Sequence, residues 1–261
     1  MPSKLIYLYC LTGKIPGDRV IAGIDGNVRF VSNKGLHAVA SRVKADAFTK
    51  DLKENLADMR WVESNVLAHA QVVAKTMEHA AVIPFKFATL FRTEKSLKAM
   101  LDARLDEFKG LLARLEGKEE WSLKVYFGVE RPGTACRDKR ILKIDREIGS
   151  VSAGKAYLLR KKRQQLIEDI ATEKISGWAG ECLETLSRWS AETCINGLIP
   201  KEMTGRKEDM ILNSAFLIDK GRLRGFMDDV DLLEEKLPWL DLNCTGPWPP
   251  YNFCSIKQEA L

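Results

Sequence analysis

The chain has 261 residues, 45% hydrophobic and 30% charged, enough for two modest domains or one large one. Forty-one basic side chains against 36 acidic ones leave a net charge of +5, too small to argue for a polyanionic partner. No stretch approaches the roughly 18 apolar residues of a membrane span, and six scattered cysteines with no export signal point to free thiols in the cytoplasm.

The first predicted element is a strand, KLIYLYCL at 4–11, rich in β-branched and aromatic residues and closed by Gly13 and Pro16. Residues 28–43 form a predicted hairpin whose turn is Ser32-Asn33-Lys34-Gly35. From Asp58 the pattern turns helical, with Val62, Val66, Ala70, Val73 and Met77 spaced by three and four to build an apolar face. VIPFKFATLF (82–91) alternates as a half-buried strand, with Ile83, Phe85, Phe87 and Phe91 on one side and Lys86 and Ala88 on the other. Pro84 assigns it to a strand start or a sheet edge. A charged helix from Glu94 to Glu116 stops at Gly117, which sets the boundary of a first α+β domain, 1–118.

The second domain, 119–246, opens with the strand WSLKVYFGV (121–129), which turns Trp121, Leu123, Val125, Phe127 and Val129 to one face. After a polar, basic connection comes one long helix, Gly154 to Trp189, with the stripe Leu159, Leu166, Ile170, Trp178, Cys182, Leu186 and Trp189. Strands at 191–198 and 210–219, a helix at 222–236 and a strand at 239–245 complete the order β-α-β-β-α-β. The fold class is therefore α+β in two domains, the C-terminal one a modified ferredoxin-like (βαββαβ) fold with a long helix. Such a fold carries its helices on one sheet face, and the other face, where Tyr126 and Phe216 are expected to point together, needs a cover.

Residues 247–261 form a tail headed by GPWPPYNF (246–253), where three prolines and three rings make a stiff segment that no helix or central strand can run through. The expectation is that it folds back over the second domain; the alternative is a face for a partner.

Chemistry is sparse. His69 and His79 lie about 15 Å apart along one helix and cannot share a metal ion; His69, beside the apolar stripe, is expected to be buried and hydrogen bonded. No cysteine has zinc-ligand spacing, and neither a phosphate-binding glycine loop nor a G-x-S-x-G elbow occurs. Asp228, Asp229, Asp231, Glu234 and Glu235 occupy the wet side of an amphipathic helix. Two basic clusters, Arg137 to Arg146 and Lys155 to Arg163, are expected to be neutralised by that acidic helix. A ferredoxin-like sheet with aromatic and basic residues also allows an RNA-binding module, but MILNSAFLI lacks that module's Lys/Arg-Gly-Phe-Gly-Phe character.

Five segments occur together and in order: VIPFKFATLF, EWSLKVYFGV, GKAYLLRKK (154–162), NSAFLIDKG (213–221) and GPWPPYNF. By these the chain resembles the gas-vesicle accessory proteins GvpF and GvpL across nearly its whole length. Lys86 and Ala88 depart from the arginine and glycine expected in many relatives. The resemblance implies a non-enzymatic assembly factor or minor shell component, without cofactor, metal, nucleic acid or membrane. Its implied partners are the hydrophobic shell protein GvpA and other Gvp proteins. The candidate contact residues are Pro84, Phe85 and Phe87 in the first domain, and Trp248, Tyr251 and Phe253 in the tail.

Overall fold

The computed structural model describes residues 4–15, 17, 21–48, 52–128 and 138–254; Pro16, Val129, Cys136, Arg137 and the end of the tail lie outside them. The chain groups into two compact units. One comprises Met1–Glu120, Leu217–Lys220 and Gly246–Leu261, the other Trp121–Phe216 and Gly221–Thr245.

The first unit is built on β1 (Lys4–Thr12), whose residues from Leu5 onward are all buried. A strand so apolar along its length needs neighbours on both edges and cover on both faces. β5 (Leu36–Lys44) pairs antiparallel with it from Lys4↔Lys44 to Thr12↔His37, across an irregularity between Leu8 and Cys10. After the short paired strands β2 (Ala22–Gly23) and β3 (Gly26–Asn27), β4 (Arg29–Asn33) pairs with β5 through a turn in which Lys34 and Gly35 take positive φ, 48° and 85°. That turn is the predicted one, and its glycine removes the steric cost of the left-handed conformation.

The segment 82–91 is not one strand. It splits into β6 (Val82–Pro84) and β7 (Leu90–Phe91), both paired with β1, and the intervening residues loop out at Ala88 with φ 61°. Tyr7 explains the detour, because its buried hydroxyl accepts the Ala88 N–H at 3.0 Å. Pro84, which cannot donate to a ladder, sits on β6 at the sheet edge in the order β4-β5-β1-β6.

The helix beginning at Asp58 is α2 (Met59–Met77), with Asp58 as its N-cap; the six residues before it form α1 (Leu52–Ala57). Its inward face is rotated from the predicted one. His69, Val72, Val73 and Thr76 are buried, whereas Val66 is exposed. Periodicity counts only apolar residues, and here a histidine and a threonine turn inward because each finds a partner: Tyr7 for His69, and the Val72 carbonyl for Thr76. The charged helix is broken at Arg104 into α3 (Glu94–Ala103) and α4 (Leu105–Leu115). The break lets the halves pack on different strands, α3 on β4 and β7, α4 on β6.

The second sheet contains β8 (Lys118–Phe127), β9 (Ser190–Ile195), β10 (Asp209–Asp219) and β11 (Leu240–Trp248) in the order β11-β8-β10-β9, with the one-turn α7 (Lys201–Thr204) between β9 and β10. β11 runs on through Gly246 and Pro247, three residues past the predicted end. As an edge strand it tolerates a proline that a central strand would not. α6 (Ala153–Ser187) is the predicted long helix, and the supposed connection before it contains another, α5 (Lys139–Ile148), capped by Asp138. Ile141 and Ile144 carried that signal at a spacing of three, and both are buried.

The helices of this unit lie against Phe127 and Phe216: Phe127 meets Trp178 of α6 at 5.5 Å, and Phe216 meets Phe226 of α8 (Leu223–Lys236) at 5.4 Å. Phe216 thus points toward the helices with Phe127, not with Tyr126. Tyr126, next to Phe127 and so on the opposite face, is covered by the Arg206 guanidinium 4.1 Å above its ring.

Candidate functional site

The first unit gathers its polar chemistry around His69. Tyr7 Oη lies 2.9 Å from His69 Nδ1, and Tyr251 Oη lies 3.3 Å from His69 Nε2. Tyr7, Tyr9 and Phe87 surround the imidazole at 5.6–6.2 Å between ring centres. Burial lowers the His69 pKa to about 4, opposed in part by the Phe85 carbonyl, and burial raises that of Tyr7. A neutral imidazole between two protonated phenols is a hydrogen-bonded relay with no charge to offer a substrate. Tyr9 is equally committed: it donates to Ser41 Oγ at 3.0 Å and accepts the Ile24 N–H at 2.7 Å.

The GPWPPYNF strip belongs to this same unit, not to the second one. Tyr251 reaches His69; the Asn252 N–H and side-chain amide donate to the two Glu120 oxygens at 3.0 and 2.7 Å; and Arg114 donates to the Phe253 carbonyl at 2.5 Å. Phe253 is buried. Glu120 is also buried, and no cation pairs with it among the described residues. Burial pushes its carboxyl up in pKa, and the two bonds from Asn252 pull it part of the way back. Sequence patterning missed Glu120 because it stands in a strand otherwise read for its apolar alternation.

The six candidate contact residues therefore share one unit. Pro84 and Phe85 are buried, Phe85 with its ring edge-on to Phe108 at 6.3 Å. Phe87 is partly buried between Tyr7 and Trp61. Only Trp248, 49% exposed, and Tyr251, 44% exposed, present large surface to solvent. Trp248 stands with Pro247 and Pro250 on the wall of a groove of about 380 Å³, completed by the ends of α2 and α4 and the start of β8. Four of its charged lining residues are ion-paired: Glu116 with Lys14 at 3.2 Å, Glu119 with Lys220 at 3.5 Å, and Lys118 with Asp219 at 3.8 Å. No group of three His, Cys, Asp or Glu side chains able to hold a metal ion occurs among the described residues.

Comparison with known proteins identifies the family and the fold. The family model described as gas vesicle synthesis protein GvpL/GvpF matches residues 5–255. Gas vesicle protein L of Streptomyces sp. (strain CB03234) is 28% identical, covering 99% of this chain and 96% of its own. Gas vesicle protein L1 of Halobacterium salinarum is 25% identical over 95% of this chain and 89% of its own. The crystal structure of GvpF from Anabaena sp. PCC7120 superposes with a TM-score of 0.71 at 19% identity, over 99% of both chains. That of GvpF from Microcystis aeruginosa gives 0.69 at 17% identity, over 97% and 99%. The RNA-binding alternative finds no support among these matches.

Proposed function

The chain belongs to the GvpL/GvpF family of gas vesicle synthesis proteins and acts in gas vesicle assembly, and we propose that it does so by binding the hydrophobic shell protein GvpA without turning over a substrate. A shell subunit with a gas-facing apolar side aggregates in water before it assembles. Covering even ~400 Å² of that side is worth roughly 10 kcal/mol gross, from which the costs of association are subtracted. Such a chaperoning contact requires a rigid apolar surface and no reactive group.

The observation that carries this reading is the half-exposed pair Trp248 and Tyr251, held on a strip whose neighbours Asn252 and Phe253 are fixed by hydrogen bonds to Glu120 and Arg114. Aromatic rings fixed in place lose little entropy on binding, which is why they dominate interface energetics. The groove beside Trp248 is the seat this reading gives a GvpA segment, while Pro84 and Phe85, both buried, stand behind the surface and do not line it. The second unit we read as the modified ferredoxin-like domain, a reading supported by its strand order and by crossovers through α6 and α8.

Co-expression of GvpA with the tagged full chain tests the proposal. Capture of GvpA by the native chain and at least a tenfold loss with the double variant Trp248→Ala/Tyr251→Ala are expected, at a melting temperature lowered by only a few degrees. Undiminished capture by a folded double variant would remove the strip from the interface.

A further inference from the structure

Most of the basic side chains of one segment of the second unit have no carboxylate partner among the described residues. Residues 138–166 carry nine Lys and Arg against three Asp and Glu, an excess of six, so the rest of the chain sums to about −1. α5 and the first half of α6 pack together as a helical hairpin, burying Ile141, Ile144 and Ala156. Arg140, Lys155 and Arg163 pair with Asp138 and Glu173, Glu147, and Asp145. Lys139, Lys143, Arg146, Arg160, Lys161 and Lys162 have no carboxylate partner among the described residues.

The acidic helix expected to neutralise them is out of reach. Asp229 of α8 pairs with Arg188, and Lys236 at the far end of α8 pairs with Glu181, so α8 runs antiparallel beside the last turns of α6. Lys162 lies nineteen residues before Glu181, about 28 Å farther along the helix than α8 extends. Within one chain the two charged surfaces do not meet.

They are nevertheless complementary in pattern. On α5, Lys139, Leu142, Lys143 and Arg146 stand at i, i+3, i+4 and i+7, and on α6 the exposed Tyr157 and Leu158 each precede a lysine by four, Lys161 and Lys162. On α8, Asp228, Asp231, Leu232 and Glu235 repeat the same i, i+3, i+4, i+7 spacing with opposite charge. Leu142 and Leu232, 41% and 58% exposed, stand in the middle of the two rows, at i+3 on α5 and at i+4 on α8. Asp228, Asp231 and Glu235 have no ion-pair partner among the described residues. Positions at this spacing share one helix face, so each face offers an apolar centre ringed by one sign of charge.

We propose that the occupant of the basic α5–α6 face is the α8 face of a second copy of this chain. Two copies that each lend both faces to the other close a twofold dimer, and copies that turn the two faces toward different neighbours make a ring or an open row. A nucleic acid is the weaker match, since phosphates have no use for Leu142 and Leu158. Nothing here depends on the groove beside Trp248, so self-association and GvpA binding stand or fall separately.

Sedimentation velocity on the full chain decides. At about 50 mM salt the mass is expected to rise with concentration above the 29.4 kDa monomer and to return to it at about 0.5 M, where screening shortens to a few ångströms. Two charge reversals on exposed positions, Lys143→Glu/Lys161→Glu/Lys162→Glu and Asp228→Lys/Asp231→Lys/Glu235→Lys, are each expected to be monomeric alone. Mixed together they are expected to associate again, because each then supplies the complement the other lost. A native chain that stays monomeric at low salt overturns the proposal. So does association indifferent to both reversals, failure of two folded variants to rescue each other, or a monomer whose hairpin lysines instead hold a labelled oligonucleotide in an anisotropy titration.

Discussion

Acidification reports directly on the buried imidazole of His69. The side chain is 4% exposed, and its pKa is lowered to about 4 from an ordinary value near 6.5. The unfolded chain therefore takes up the proton first. The stability that a neutral His69 allows is present above about pH 6.5 and is lost as pH falls toward 4. Two and a half pH units at 1.36 kcal/mol each give about 3 kcal/mol, a large fraction of the stability of an ordinary domain. Glu120 acts in the opposite sense, because a carboxyl with a raised pKa favours the fold on acidification; hence the native curve alone does not isolate the histidine. His69→Asn removes the titration while keeping an acceptor for the Tyr7 hydroxyl near the position of Nδ1. Urea unfolding from pH 7.5 to 4, followed by circular dichroism, is expected to show the variant less stable at neutral pH. The gap should close by about 3 kcal/mol at the acid end. Parallel curves for the two proteins across that window would refute the burial argument.

Gly225→Ala places a methyl 2.3 Å from the Trp189 ring, whose Nε1 donates to Asp229 Oδ2 at 2.6 Å; a loss of about 1–3 kcal/mol is expected in denaturant unfolding. Glu120→Ala strands the Asn252 N–H and side-chain amide and is expected to cost about 1–3 kcal/mol. Its sign in hydrogen exchange is faster exchange at Asn252 with β1 amides still protected. Tyr7→Phe removes the acceptor of the Ala88 N–H and the partner of His69. It is expected to destabilise by about 1–3 kcal/mol and to speed exchange at Ala88 before the rest of the sheet.

Much of the fold was legible from local signals. β1 announces itself by an unbroken β-branched and aromatic run, the β4–β5 turn by its Asn-Lys-Gly cluster, and α2 by the Asp58 cap. α8 separates the exposed Asp228, Asp231, Glu234 and Glu235 from Phe226, Val230 and Leu233 as its periodicity required, whereas Asp229 is drawn partly inward by Trp189 and Arg188. Errors arose where a side chain's environment came from elsewhere in the chain. The inward face of α2 depends on a tyrosine sixty-two residues earlier, and α5 hid because its basic residues outnumber its isoleucines.

Sequence alone, then, set most of the elements, the mixed class and the family, because helix and strand periods, caps and short ordered motifs are properties of neighbouring residues. Tertiary structure decided the rest. It laid the C-terminal strip on the first unit, supplied Tyr7 and Tyr251 as the partners of a histidine already expected to be buried, and turned Glu120 inward, while the reach of α6 carried the basic hairpin beyond α8. The physical reason is that burial and pairing depend on distance in space, and residues 69 and 251, or 120 and 252, become neighbours only once the chain has folded.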